Sequence, residues 1–414
     1  MSPFAYHDGE LHAEDVPVRR IAERYGTPCY IYSRAAVEQT YRAFDAAFAG
    51  CDHMTCFAVK ANSTLAMLNL LARLGSGFDI VSGGELQRVL AAGGDPGRIV
   101  FSGVGKTAEE MRQALAAGIF CFNIESEPEL LRLDRIAAAA GVTAAISLRV
   151  NPDVDPRTHP YIATGLQQNK FGVAYAEALR LYRRARDMGH LAIAGIGCHI
   201  GSQLTELDPF VAALDRILEL VDQLGSEGIA LTHVDVGGGL GIRYRDESPP
   251  AFAEYAKSLT ARLGGRRLKL LLEPGRALVG NAGILLTRVE YLKQGTERNF
   301  AVVDAAMNDL MRPALYDAYH EIRTVAAPNG GGATYEVVGP VCESGDFLAH
   351  ARELSLREND LLAIMSAGAY GMSMSSNYNS RPRAAEVMVD KKEAHLIRKR
   401  ETIGELMVLE RVLP

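Results

Sequence analysis

The sequence predicts an α/β protein: a (β/α)8 barrel of the TIM type followed by a mainly antiparallel β domain. Two observations carry this expectation. Eight short apolar runs recur between Ala/Leu/Arg/Glu-rich stretches over residues 54–273, and after about residue 280 the runs become shorter and alternating. At 414 residues the chain also exceeds what one hydrophobic core usually supports, which points to two domains.

The strand candidates are MTCFAV (54–59), FDIV (78–81), RIVFS (98–102), IFCFNI (119–124), AISLRV (145–150), AIAGIGC (192–198), LTHVDV (231–236) and LKLLLE (268–273). Continuous apolar strands alternating with amphipathic helices indicate a parallel sheet covered by helices. Eight such units fit a closed barrel better than a doubly wound sheet, because no switch point is visible. Between them, TAEEMRQALAAG (107–118) reads as a helix with Thr107 as N-cap and Gly118 as its stop. DPFVAALDRILELVDQLGSEG (208–228) reads as another, with Asp208 as cap and Pro209 at the first helical position. Beyond residue 280, AGILLTRVEYL, NFAVVD, ATYEVVGPV, DLLAIM and AAEVMV show period-two alternation broken by Gly, Asn, Asp and Pro, the pattern of antiparallel strands. AAPNGGGA (326–333) reads as a hairpin tip without a chemical role. The expected division is a barrel over 28–280 and a β domain over 281–414, with residues 1–27 joining the latter.

Composition narrows the function classes. A formal net charge of −6 gives no electrostatic reason to expect nucleic acid. The opening MSPFAYHDGELHAEDVPVRR has neither the apolar core of a signal peptide nor a basic leader, and no apolar run is long enough to cross a bilayer. The six cysteines show no CxxC pairing and no disulfide-scaffold density, and no metal-ligand spacing is present. A cytoplasmic, reducing location is expected, with no metal and no membrane partner.

The polar residues that stand out fall just after the predicted strands. Lys60 follows the first, His199 the sixth, Gly237, Gly238 and Gly239 the seventh, and Glu273 ends the eighth. In a barrel of this type the C-terminal strand ends build the active site, and the loops after strands seven and eight often bind phosphate. Both loops carry glycine here, VGGGLG (236–241) and EPGR (273–276), which lets backbone N–H groups approach phosphate oxygens. A glycine triplet can equally make a tight turn and nothing more. Lys60 in CFAVKAN reads either as a surface lysine with a snorkelling stem or, beside a phosphate site, as a Schiff-base lysine. His199 reads either as a satisfied core histidine or as a ring stacked on a planar cofactor. Glu273 either caps the EPGR turn or faces a pyridine nitrogen and keeps it protonated.

Seven motifs, FAVKAN, HIGSQ, DVGGGLG, EPGR, MNDLMRPALYDAYH, GPVCESGDFL and GAYGMSMSSNYNSRP, occur in one order along nearly the whole chain. Together they resemble the diaminopimelate decarboxylases, within the alanine-racemase-like (fold type III) pyridoxal-phosphate enzymes. The resemblance implies pyridoxal 5′-phosphate as cofactor, with Lys60 as its Schiff-base lysine and His199 stacked on the ring. It implies that Ser202, Gly238, Gly239 and the backbone of Gly275 and Arg276 hold the phosphate, and that Glu273 faces the ring nitrogen. Arg276, Arg312, Tyr316 and Glu343 are then expected to bind substrate, and Tyr370 to contact both substrate and cofactor. Cys342 is expected to be the proton donor, reaching the barrel of the partner subunit in a head-to-tail homodimer with composite sites.

The implied reaction is decarboxylation of meso-2,6-diaminopimelate to L-lysine and CO2, the last step of lysine biosynthesis. A substrate whose far end carries both an amine and a carboxylate needs a cation and an anion distant from the cofactor, which Arg276, Arg312 and Glu343 would supply. Ornithine or arginine decarboxylases of the same fold read only a distal cation and are the second reading. A catalytically silent regulatory homologue is the third; it should have lost Lys60 or Cys342, and both are present.

Overall fold

The structure, a computed structural model, describes residues 3–155, 170–328 and 330–414. It divides into two compact units: Thr40–Ile242 with Ser248–Ala277, and Met1–Gln39 with Arg243–Glu247 and Leu278–Pro414.

The first unit is the expected barrel. Its eight parallel strands are His53–Ala58, Gly77–Ile80, Ile99–Phe101, Cys121–Ile124, Ala144–Asn151, Leu191–Gly197, His233–Asp235 and Lys269–Leu272. The eighth pairs back onto the first, with Leu270 opposite His53 and Leu272 opposite Thr55, so the sheet closes. The two-residue strand Val173–Ala174 adds to the edge of the fifth. Met54, Cys56, Val100, Cys121 and Leu271, drawn from four strands, pack into one apolar cluster with Phe120 against it. Close packing also explains the glycines of the sixth strand. A Cβ at Gly195 would lie 2.0 Å from the His233 ring, and one at Gly197 would lie 2.9 Å from the Asp235 Cβ. The small residues therefore make room for the polar side chains of the seventh strand.

Helices follow the strands as the periodicity predicts. Ala108–Ala117 starts at Thr107, whose hydroxyl accepts from the Glu110 N–H while the Glu110 carboxylate accepts in return, and it ends at Gly118 in the left-handed conformation. The helix Asp208–Ser226 differs from expectation at its start. Asp208 is its first helical residue rather than its cap, and Leu207 occupies the cap position without a side-chain bond. Pro209 lies in the first turn, where its missing N–H costs nothing.

The second unit is a mixed, mainly antiparallel sheet. Strand Gly283–Lys293 is its hub, pairing antiparallel with Asn299–Val303, Leu361–Ile364 and Cys29–Ser33. Cys29–Ser33 in turn runs parallel to Ala385–Asp390. Its five residues are all buried, so it serves this sheet rather than the barrel. Residues Phe4–His7, Glu10–Ala13 and Val16–Pro17 form a small sheet. Their Phe4, Leu11 and Val16 share a core with Ile31, Ile284, Leu286, Val325 and Val387, which is why the N-terminal segment belongs to this unit. The expected hairpin tip at 326–333 is corrected. It joins Ile322–Thr324 to Ala333–Val338, and those strands pair with different neighbours rather than with each other; residue 329 lies outside the described residues.

Candidate active site

The C-terminal ends of the barrel strands gather the polar residues that the sequence singled out, together with several that it did not. Lys60 sits in the short 3-10 turn Val59–Ala61 directly after the first strand. Its Nζ donates to Oδ2 of Asp79, a fully buried carboxylate on the second strand. The Ala58 N–H donates to the Pro274 carbonyl at 3.1 Å, which ties the loop after the eighth strand to the base of the lysine turn. A Cβ at Gly275 would press within 3.0 Å of the Ala61 Cβ, so the EPGR turn lies flat against that site.

The loops after strands six and seven are laced together. Leu204 N–H donates to Gly239 O at 2.9 Å, Gly241 N–H donates to Leu204 O at 2.8 Å, and Gln203 exchanges two bonds with the Ile242 backbone. This fixes Ser202 beside the glycine triplet. Glycine is required within it: Gly239 has φ +111°, and a Cβ there would lie 2.5 Å from Gly201 O. At Gly238 a Cβ would lie 2.2 Å from Glu273 O. Arg276, buried, donates to the Ser202 hydroxyl at 3.0 Å. Thus Ser202, Gly238, Gly239, Gly275 and Arg276 come together across three loops.

His199 receives the Gly238 N–H on Nδ1 at 3.1 Å, which leaves the ring proton on Nε2. Burial, reinforced by Arg149 and Lys60, pulls the imidazole well below its ordinary value, so the ring is neutral. Glu273 shows the opposite effect. Burial first, then Asp235 and Asp79, push its carboxyl well above the usual range, with Lys60 opposing. Asp235 is raised as well, by burial first, while hydrogen bonds from Glu273, Gly237 and Asn123 oppose the rise. Burial thus favours the protonated form of both carboxyls in this hydrogen-bonded pair. Asn123 donates to Asp235 Oδ2 at 3.2 Å and, more weakly, to Glu273 Oε1 at 3.4 Å; Ser102 reaches Glu273 at 3.5 Å.

In the second unit, Arg312 and Tyr316 are the first and last residues of the short helix Arg312–Tyr316. Arg312 is buried against Tyr244, its guanidinium carbon 4.6 Å from the ring centroid. Tyr370 holds a left-handed φ of 55°, a strained conformation for a tyrosine and one that concentrates at functional sites. Cys342 and Glu343 are exposed and are held by consecutive residues of the SSNYNS segment. Asn379 Oδ1 accepts from the Cys342 N–H at 3.2 Å and from its thiol at 3.4 Å, and the Tyr378 hydroxyl donates to Glu343 at 3.2 Å. The other five cysteines are also free thiols; Cys29, Cys56, Cys121 and Cys198 are buried, and burial pushes Cys29 and Cys198 up to about 12.

The barrel end fits a planar, phosphate-bearing cofactor. Asp79 Oδ1 and Asn123 Oδ1 are buried with no hydrogen-bond partner among the described residues, although buried polar atoms are ordinarily satisfied. The glycine loops present backbone, Arg276 and Ser202 supply donors, and Lys60 supplies an amine. Sequence reasoning missed Asp79, Asn123 and Asp235. Their signal was present: Asp79 and Asn123 are lone polar residues inside the apolar runs FDIV and IFCFNI, and Asp235 stands between two valines in LTHVDV.

A family model described as the pyridoxal-dependent decarboxylase, pyridoxal binding domain, matches residues 34–280. A diaminopimelate decarboxylase of Pseudomonas aeruginosa is 60% identical over 414 residues, spanning 100% of both chains, and one of Vibrio cholerae is 58% identical over 416 residues with the same coverage. Among solved structures, the diaminopimelate decarboxylase of Helicobacter pylori complexed with L-lysine superposes with a TM-score of 0.92 at 43% identity, covering 95% of this chain and 98% of that one. The M. jannaschii enzyme in co-complex with L-lysine gives 0.95 at 38% identity, covering 99% and 98%. The motif order, the closed barrel and these full-length matches agree, and the chain belongs to the diaminopimelate decarboxylase family of pyridoxal-dependent decarboxylases.

Proposed function

We propose that this chain decarboxylates meso-2,6-diaminopimelate to L-lysine and CO2, using pyridoxal 5′-phosphate, as the last step of lysine biosynthesis. The observation that carries the reading is Lys60 paired with buried Asp79, beside the buried carboxyl pair Glu273–Asp235. Ser202, Gly238, Gly239, Gly275 and Arg276 would hold the cofactor phosphate, Lys60 its aldehyde end, His199 the ring face and Glu273 the ring nitrogen. When bound, the cofactor supplies a sink for the electron pair left behind as CO2 departs.

The chain's own residues set the conditions for that step. Asp79 accepts a hydrogen bond from Lys60 Nζ at Oδ2 and orients the amine. A neutral His199 offers an uncharged face, since burial first, and then Arg149 and Lys60, disfavour its protonation. A cationic ring nitrogen against Glu273 favours the ionised carboxyl and offsets the burial that raises it. Arg276, Arg312, Tyr316, Glu343 and Tyr370 would bind substrate, the arginines and Glu343 matching a distal end that carries both charges. Cys342 would protonate the carbon that loses CO2, in the barrel of the partner subunit of a homodimer. Among the described residues no helix is long and apolar enough to cross a membrane, which agrees with a cytoplasmic enzyme.

Borohydride reduction of the cofactor-loaded protein, followed by peptide mass mapping, tests the reading. The cofactor is expected on the peptide containing Lys60. Its recovery on another lysine would remove Lys60 from this role.

A further inference from the structure

The motif MRPALYDAYH ends in a histidine that the proposed chemistry does not use, and His320 is fully buried. The geometry points to His320 as a positioning residue that fixes the guanidinium plane of Arg312. This inference rests on the reading of Arg312 as a substrate-binding residue.

Local structure brings the two together. The helix Arg312–Tyr316 is ended by Asp317 in the left-handed conformation, whose N–H donates back to the Arg312 carbonyl. That reversal returns the chain, so that His320 Nε2 lies 2.8 Å from Arg312 Nη1. On its other side His320 Nδ1 lies 2.7 Å from the Met365 carbonyl. Met365 is itself anchored, its N–H donating to Glu321 O at 2.8 Å.

These two bonds admit one protonation pattern. A carbonyl only accepts, so Nδ1 carries the proton; a guanidinium only donates, so Nε2 must present its lone pair. The imidazole is thus held neutral in a single tautomer by partners that cannot exchange roles. Tyr244 completes the clamp, with its ring under the guanidinium at 4.6 Å and edge-on to the His320 ring at 5.2 Å and 76°. Tyr244 is carried on a turn whose two backbone N–H groups at Tyr244 and Arg245 both donate to Glu247. Arginine recognises a carboxylate through a rigid planar fork, so whatever sets the plane sets the selectivity. One nitrogen of the fork bonded to His320 and one face covered by Tyr244 leave little rotational freedom.

Two near-isosteric substitutions separate positioning from mere packing. In His320→Gln the amide oxygen takes the place of Nε2 and still accepts from Arg312. In His320→Asn the amide N–H takes the place of Nδ1 and still donates to Met365, but the acceptor for Arg312 is gone. With the loaded enzyme and meso-diaminopimelate, His320→Asn is expected to raise KM about tenfold while kcat stays within about twofold, and His320→Gln to stay within about threefold of wild type in KM. Equal KM values in the two variants, with only a lowered thermal midpoint, would overturn the proposal. Should either fail to fold, Tyr244→Leu removes the ring face without touching the Met365 bond. A KM raised severalfold supports the clamp, and an unchanged one refutes it. Arg312→Lys is measured alongside: an unchanged KM there would defeat the substrate-binding reading of Arg312 itself, a separate outcome.

Discussion

Replacing Glu273 by glutamine should make the cofactor-free protein more stable and the loaded enzyme nearly inactive. Glu273 and Asp235 are both buried, and burial is the first cause that raises both carboxyls; Asp235 and Asp79 raise Glu273 further, and Asp79 also raises Asp235. The neutral donors facing Glu273 are long, 3.4 Å from Asn123 and 3.5 Å from Ser102, so losing them costs well under about 1 kcal/mol. Confining a second negative charge in this site costs several times more, and a glutamine amide can still donate to Asp235. The expected net gain is about 2 kcal/mol at pH 8, seen as a rise of roughly 3–5 °C in the thermal midpoint. The pH dependence follows from the raised carboxyl. The folded protein holds the Glu273 proton to higher pH than the unfolded chain, so wild-type stability falls as pH climbs above the ordinary glutamate value of 4.5. The gain should therefore shrink toward pH 5, where both states are more nearly protonated. If Glu273 faces the ring nitrogen as proposed, the same substitution in the loaded enzyme removes that anion, and kcat should fall about 100-fold or more with the cofactor still bound. Calorimetry of stripped protein at pH 5 and pH 8, with turnover of the loaded form, measures all three. A glutamine variant less stable than wild type at pH 8 would refute the strained-pair argument.

Two further outcomes are expected. Lys106 is buried and donates to Gly103 O, Asn123 O and Glu129 at 2.9, 2.7 and 2.6 Å, so Lys106→Met strands Glu129 and should cost about 3–5 kcal/mol by denaturant titration; the double variant Lys106→Met with Glu129→Leu should recover part of that. Mixing inactive Lys60→Ala and Cys342→Ala chains should return about a quarter of wild-type activity if the site is shared across a symmetric dimer, whereas verified hybrids that stay inactive would show that Cys342 serves its own chain.

The barrel was legible because its strands read as mainly apolar runs separated by helical stretches, one of them with visible caps at Thr107 and Gly118. Lys60, His199, Glu273 and the glycine triplet stood out because they break those runs at the strand ends. Asp79, Asn123 and Asp235 did not. A polar residue or two inside an apolar strand run sets no period, and only the closed sheet shows that the three converge. Cys29–Ser33 was equally opaque: its pairing partners lie some 250 and 350 residues along the chain, at Gly283–Lys293 and Ala385–Asp390. The clamp around Arg312 depends on a left-handed Asp317 and on Tyr244, about 70 residues upstream, neither of which any local pattern announces.

The claim that this fold serves a substrate with charge of both signs at its far end is tested most directly by CO2 release from meso-diaminopimelate, ornithine, arginine and L-lysine under identical conditions. The expected kcat/KM for meso-diaminopimelate is at least about 100-fold above the other three. Comparable or faster release from ornithine or arginine would contradict it.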